Sequence, residues 1–362
     1  MFNRYIFLAL FNLAVVILAA GLVACGDDDA DGSSVPDIRT PTSEGPVTLR
    51  LAYFPNVTHA PALVGVKDGT FTKELGGNVT LSAKTFNAGP AVIEALFAGE
   101  IDIAYIGPNP AVNGFIKSNG EALRIIAGAT SGGAALVVRP GSGIEQPKDF
   151  AGKKVATPQL GGTQDVALRA WLIENGLASK EQGGNVTVVP TENPTTLTLF
   201  QKGDIDAAWV PEPWASRLIL QAGGKLFLDE RTLWPNGRFV TTHIIVSRAF
   251  LEKHPSVVER FLIGHVKVIQ ALQNDPEQAK LITNDAIKEI TGAALPKEVI
   301  DAAWKKVNFT YDPVASSLRK SASDAEKLGF FGGKKPDLSG IYDLGLLNKV
   351  LKSLGLVPVQ SE

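Results

Sequence analysis

Apolar and polar positions along the chain fall into short alternating blocks, and one block occurs twice. Leu96-Phe97-Ala98-Gly99-Glu100-Ile101-Asp102-Ile103-Ala104-Tyr105-Ile106-Gly107 returns as Leu199-Phe200-Gln201-Lys202-Gly203-Asp204-Ile205-Asp206-Ala207-Ala208-Trp209-Val210. Each copy reads as the end of an apolar helix, a Gly, an acidic residue, Ile-Asp, small residues and an aromatic. Gly after an amphipathic run closes a helix, because Gly alone takes positive φ without strain. The apolar run that follows suits a buried strand. Prolines stop both strands, in Gly107-Pro108-Asn109-Pro110 and Val210-Pro211-Glu212-Pro213, since proline cannot donate to a ladder.

The echo extends upstream. Asn78-Val79-Thr80-Leu81 matches Asn185-Val186-Thr187-Val188, and Leu49-Arg50-Leu51-Ala52-Tyr53 stands where Lys153-Lys154-Val155-Ala156-Thr157 stands later. Three matched strands at a nearly constant offset predict two lobes of similar β-α-β-α-β build.

Taken in order, strands are predicted at Val47 to Phe54, Val79 to Thr85, Ile103 to Gly107, Ile125 to Ala129 and Ala134 to Arg139. The turn-rich Pro140-Gly141-Ser142-Gly143 marks the crossing into the second lobe. There the plan repeats until Thr241-Thr242-His243-Ile244-Ile245-Val246, a strand expected to pair with Ala134 to Arg139 and carry the chain back. From Phe250 onward the pattern is helical, a tail expected to pack on the first lobe. The domains predicted are therefore residues 47–139 with 241–358 as lobe 1, and 140–240 as lobe 2. Strands alternating with helices give an α/β fold with doubly wound, mainly parallel sheets. Ligands of such sheets sit outside the carboxyl ends of the strands, so two facing lobes predict a site in the cleft between them.

Composition changes this picture little. The chain has 362 residues, 45% of them hydrophobic, with a formal charge of −2. No basic excess recommends a nucleic-acid partner. The ends add more. Arg4 precedes an apolar run from Ile6 to Ala20 broken only by Asn12, and Leu22-Val23-Ala24-Cys25 resembles the lipobox of bacterial lipoproteins. Residues 1–24 are thus expected to be a signal peptide, and Cys25, the one Cys of the chain, to carry lipid. Gly26 to Pro46 holds five Asp before Ile38, with Ser, Thr and Pro, and reads as a tether that buries too little apolar area to fold.

Candidate chemistry lies in the loops after the strands. Leu160-Gly161-Gly162-Thr163-Gln164 places two glycines at a strand-to-helix turn, where backbone N–H groups face an oxyanion and Thr163 either caps or donates. Asp165 just inside the helix argues against an anion, because it already complements the helix dipole. Thr130-Ser131-Gly132-Gly133 supplies Ser131 at another strand end. His59 falls on a cleft loop and His243 at the start of the returning strand, whereas His254 and His265 fall on tail helices. His59, His243 and Glu212 are residue types that zinc accepts, yet their spacing does not demand a metal. Trp209 and Trp214 flank Glu212, which suits a ligand ammonium or ring N–H and repels a bare anion. No Gly-x-Ser-x-Gly elbow, His-Glu-x-x-His, nucleotide loop or cofactor fingerprint occurs.

Four segments together carry a resemblance: Tyr53-Phe54-Pro55-Asn56-Val57-Thr58-His59-Ala60, Asn87-Ala88-Gly89-Pro90, Gly99-Glu100-Ile101-Asp102 and Trp209-Val210-Pro211-Glu212-Pro213-Trp214. Over roughly residues 47 to 355 the chain resembles the nitrate/sulfonate/taurine group of substrate-binding proteins from bacterial ABC importers, its aliphatic-sulfonate members above all. The resemblance implies a two-lobed periplasmic-binding-protein-like (type II) fold, no enzymatic activity, and a monomer that hands a small solute to a permease and ATPase. It also implies ligand contacts from Asn56, Thr58, His59, Gly107, Asn109, Gly162, Thr163, Gln164, Glu212 and Trp214. The group includes nitrate, taurine, pyrimidine-precursor and riboflavin binders, and a pyrimidine-synthase-like enzyme is the rival on the same fold.

Overall fold

The computed structural model describes residues 45–361. Cys25 and the predicted tether up to residue 44 lie outside the described residues. The strands are β1 (Val47–Tyr53), β2 (Val79–Thr85), β3 (Ile103–Ile106), β4 (Leu123–Gly132), β5 (Ala134–Val138), β6 (Lys154–Thr157), β7 (Thr187–Pro190), β8 (Ala207–Pro211), β9 (Lys225–Asp229), β10 (Val240–Ser247) and β11 (Val307–Phe309). The helices are α1 (Ala60–Lys67), α2 (Thr70–Leu75), α3 (Gly89–Phe97), α4 (Pro108–Lys117), α5 (Thr163–Glu174), α6 (Asn193–Lys202), α7 (Trp214–Ala222), α8 (Arg248–Lys253), α9 (Pro255–Asn274), α10 (Pro276–Thr291), α11 (Lys297–Trp304), α12 (Ala315–Lys327) and α13 (Gly345–Ser353).

Two sheets form. One is six-stranded in the order β11-β4-β10-β3-β1-β2, the other five-stranded in the order β7-β6-β8-β5-β9. In the first, β1 runs parallel to β2 and β3 while β10 is antiparallel to β3 and β4. In the second, β6 runs parallel to β7 and β8 while β5 is antiparallel to β8 and β9. Each half thus receives one antiparallel strand directly after the chain crosses into it. Every residue of β3 and β8 is buried, as central strands covered on both faces require.

The repeated Ile-Asp does the same work in both sheets. Asp102 N–H donates to Arg50 O at 2.9 Å and its Oδ2 accepts Arg50 N–H at 2.8 Å; Asp206 N–H donates to Lys154 O at 2.8 Å and its Oδ2 accepts Lys154 N–H at 2.9 Å. Each aspartate ties the start of its strand to the first parallel neighbour. Its carbonyl then accepts an N–H from the end of the antiparallel strand, from Ser247 at 2.7 Å or from Arg139 at 2.8 Å. Gly99 (φ +72°) and Gly203 (φ +81°) turn the preceding helices into these strands.

Two expectations are corrected. Val240–Ser247 pairs with β3 and β4, and Ala134–Val138 belongs to the second sheet. The chain therefore changes sheets at Gly132-Gly133, both at φ +77°, ahead of the turn at Pro140. On the return, Gly132 N–H donates to Phe239 O at 3.1 Å and Ser131 lies opposite Val240. The helical tail packs on both halves. Val257, Phe261, Val268 and Ile287 of α9 and α10 join Leu63 and Phe71 over the first sheet. By contrast, α11 lies against α7, and α12 lies against both α4 and α5. Among the described residues, no helix is long and apolar enough to cross a membrane.

Candidate functional site

The carboxyl ends of the parallel strands of both sheets face one cavity of about 40 Å³. Four helix starts border it, two from each half: Gly89 of α3 and Gly107 ahead of α4, then Thr163 of α5 and Asn193 of α6. Pro90, Pro108 and Pro194 sit in the first turns of three of these helices, where a missing N–H costs nothing. A larger open depression, about 1020 Å³, lies at the opposite ends of the first sheet's strands, around Arg50, Asp102, Lys117 and Lys253. The helix starts do not point there, so size does not decide the site.

The halves touch across the cavity. Trp214 Nε1–H donates to Asn56 Oδ1 at 2.9 Å, between buried groups of opposite halves. Gly107 is so close to Thr163 that a Cβ there would fall on the Thr163 hydroxyl. These contacts describe a closed form.

The cavity carries no formal charge, since no Asp, Glu, Lys or Arg lines it. Burial lowers the His59 pKa to about 3, so its ring is neutral. Phe54 N–H donates to His59 Nδ1 at 3.4 Å, which leaves the proton on Nε2. Asp165 does not burden the site. It is fully buried and accepts from Thr157 Oγ1, Gly161 N–H and Arg169 Nε, each at 3.0 Å. Its charge is balanced behind the helix, and the N–H groups of α5 remain for a ligand.

Of the residues singled out by sequence, Asn56, Thr58, His59, Gly107, Gly162, Thr163 and Gln164 line the cavity. The others stand elsewhere. Asn109 Nδ2 donates to Ser321 O at 3.2 Å, which turns it towards α12. Ser131 is paired in the first sheet between Val240 and Asn308. His243 Nε2 is 2.9 Å from Pro313 O within β10. Trp214 packs in the second core and under Arg217, with only its indole N–H reaching the other half.

Glu212 turns away from the cavity. Its Oε2 accepts Ser216 N–H at 3.0 Å, capping α7, and its side chain borders a separate cavity of about 140 Å³ beside Ala134, Ala215, Ala302 and Lys306. Burial raises its pKa to about 7, against the pull of its bonds to Ser216. The three residues weighed for zinc do not converge: among the described residues, no group of three His, Cys, Asp or Glu is placed to hold a metal. Asn87, Gln159, Asn193 and Thr241 line the cavity unforeseen. Asn193 directly precedes a first-turn proline and Asn87 lies three residues before one, a signal visible in the sequence.

The NMT1-like family matches residues 42–284. The chain belongs to this family. It is 28% identical over 235 residues to the taurine-binding periplasmic protein of Escherichia coli K12, covering 64% of this chain and 68% of the relative. It is 23% identical over 351 residues to a putative aliphatic sulfonates-binding protein of Bacillus subtilis 168, covering 94% and 95%. In fold it matches the crystal structure of the periplasmic aliphatic sulphonate binding protein SsuA from Escherichia coli, with a TM-score of 0.66 and 21% identity over 83% of this chain and 92% of that one. The expected two-lobed binding-protein fold is met by these neighbours, and the expectation of a binding protein rather than an enzyme agrees with them.

Proposed function

We propose that this member of the NMT1-like family is the extracytoplasmic substrate-binding component of an ABC importer, closing its halves around a short-chain sulfonate. One observation carries the reading. The cavity is uncharged, yet helix starts from both halves converge on it. Neutral donors at helix N-termini hold a permanently ionised, weakly basic oxyanion without needing a counter-ion. A ligand touching both halves shifts the protein towards the closed form by its difference in affinity for the two forms.

The size of the cavity limits the solute. At about 40 Å³ the cavity is small. A compact head with a short tail fits best, and affinity falls as the alkyl chain lengthens. Anchoring through acylated Cys25, ahead of the acidic tether, places the protein at the membrane surface beside its permease and ATPase, where it acts as a monomer.

The test is a calorimetric titration with C1 to C6 alkanesulfonates, nitrate, bicarbonate, a pyrimidine precursor and riboflavin. Binding confined to pyrimidines or flavins would overturn the oxyanion reading. For the anchor, Cys25→Ser moves the protein out of the membrane fraction; unchanged fractionation removes the lipid from the account.

A further inference from the structure

The cavity of about 140 Å³ beside Glu212 is not part of the cleft. Pro211 lines the cleft cavity and Glu212 lines this one, and the two share no wall residue. It exists because alanines stand where larger side chains would meet. Ala134 and Ala135 of β5 and Ala215 of α7 belong to the second half. Ala302 comes from α11, whose Val299, Ile300 and Ala303 pack in the first core. The cavity thus straddles the halves. An apolar cavity of about 150 Å³ admits a benzene ring.

Its polar groups are few and gathered. Glu212 is 3% exposed, its Oε2 accepts Ser216 N–H at 3.0 Å, and among the described residues no ion pair reaches it. Lys306, in the same wall, gives one proton of its ammonium to Asp229 Oδ2 at 3.2 Å and keeps two to donate. Asp229 also takes the Arg231 guanidinium on both oxygens. With all four groups ionised the charges cancel, so an ammonium ligand would remain an unbalanced cation. With a proton on Glu212 one positive charge is left over, which a carboxylate cancels. Two carboxyls sharing a site hold one proton between them. What is buried is then a neutral acid overall, far cheaper to desolvate than a lone ion. We infer that this cavity is a second ligand site, taking a small monocarboxylic acid with a compact apolar body whose carboxylate meets Glu212 and Lys306. The site stands whatever solute fills the cleft.

The experiment is calorimetry on the full chain with benzoate, and with benzylamine and benzyl alcohol as matched controls. Benzoate stays ionised between pH 6 and 8, so it binds together with the proton that Glu212 holds with a pKa of about 7. Its affinity is expected to fall roughly tenfold across that range. Proton uptake at pH 8 is read from buffers of different ionisation heat. At pH 6 benzoate binds more tightly than either control. Ala302→Leu, at a half-buried position of α11, fills the cavity and abolishes benzoate binding. Should that variant melt early, Glu212→Gln is the second: its amide donates at every pH, so benzoate binds equally at pH 6 and pH 8. Absence of benzoate binding to the wild type overturns the second site, as does tighter binding of either control. Unchanged benzoate affinity in Ala302→Leu overturns it by placing the acid elsewhere. A pH dependence that survives in Glu212→Gln overturns it by taking the proton away from this carboxyl.

Discussion

At the amino ends of their central strands the two halves do the same chemistry with the same residues. Asp102 and Asp206 each bridge a parallel neighbour and an antiparallel returning strand, with bonds of 2.7 to 2.9 Å in both. At the carboxyl ends of those strands the halves part company. After β3 come Gly107, Pro108 and Asn109, with no charged side chain. After β8, which ends at Pro211, come Glu212 and Trp214, whose polar atoms cap α7 or reach across to Asn56. The ends that must hold a sheet together have stayed alike, and the ends that face a solute and each other have diverged. A repeat in a sequence therefore marks what the fold needs, and departures from the repeat mark where function is sought.

The comparison can be broken at several points. The largest effect is expected at Gly107, where any side chain collides with Thr163 and denies the closed form. Gly107→Val should weaken ligand binding roughly a thousandfold, about 4 kcal/mol, with the melting temperature little changed. Retained affinity in calorimetry would mean that the ligand-bound form is more open than this one.

Next is the carboxyl that only the second half has. Glu212 binds its proton more tightly in the folded protein, with a pKa of about 7 against 4.5. The folded state thus holds more protons between these values, and its stability falls as pH rises through that window. Buried His59 shifts the other way, to about 3, and costs stability as pH falls below its ordinary range. The two are separated by difference. Denaturant unfolding of Glu212→Gln should gain on wild type by up to about 3 kcal/mol from pH 4.5 to 8. A constant offset would refute the buried, raised carboxyl.

Between the matched aspartates the gap should be smaller. Asp102 is 2% exposed and also takes the Arg50 guanidinium at Nε, at 2.8 Å. Arg139 reaches Asp206 from 3.4 Å at a more exposed site. Asp102→Ala should cost about 2 kcal/mol and Asp206→Ala about 1 kcal/mol in urea unfolding; the reverse order would contradict the burial argument. The smallest effect belongs to Trp214→Phe. It loses one hydrogen bond made between the halves, worth about 1 kcal/mol and read as a several-fold weaker ligand affinity.

Much of the fold was legible because it rests on local signals. Gly99 and Gly203 end helices, the Ile-Asp repeats start buried strands, and the prolines at 108 and 211 close them. Strand partners were not local. Both β5 and β10 read as good strands, but which sheet each enters depends on the crossing at Gly132-Gly133, whose left-handed turn sends Ala134 directly into the second sheet. In the cleft, Gly107 and Gly162 to Gln164 were found at helix starts, where backbone geometry fixes how they face, whereas Asn193 beside Pro194 was missed. Side chains whose direction depends on a bond formed only in the fold were not found. Glu212 is turned by Ser216, Asn109 by Ser321 and His243 by Pro313, and no spacing in the sequence announces those bonds.

The crossing has one more consequence. The chain leaves the first sheet at Gly132 and re-enters it at Val240, and these points are hydrogen-bonded neighbours. Topologically the second half is a single uninterrupted insert whose two ends stand side by side. Its coding segment can be excised and the gap closed by a short hairpin turn, or its ends joined and new termini opened at the exposed Pro140-Gly141 turn. The architecture is modular at the level of the gene although its binding site belongs to neither module alone.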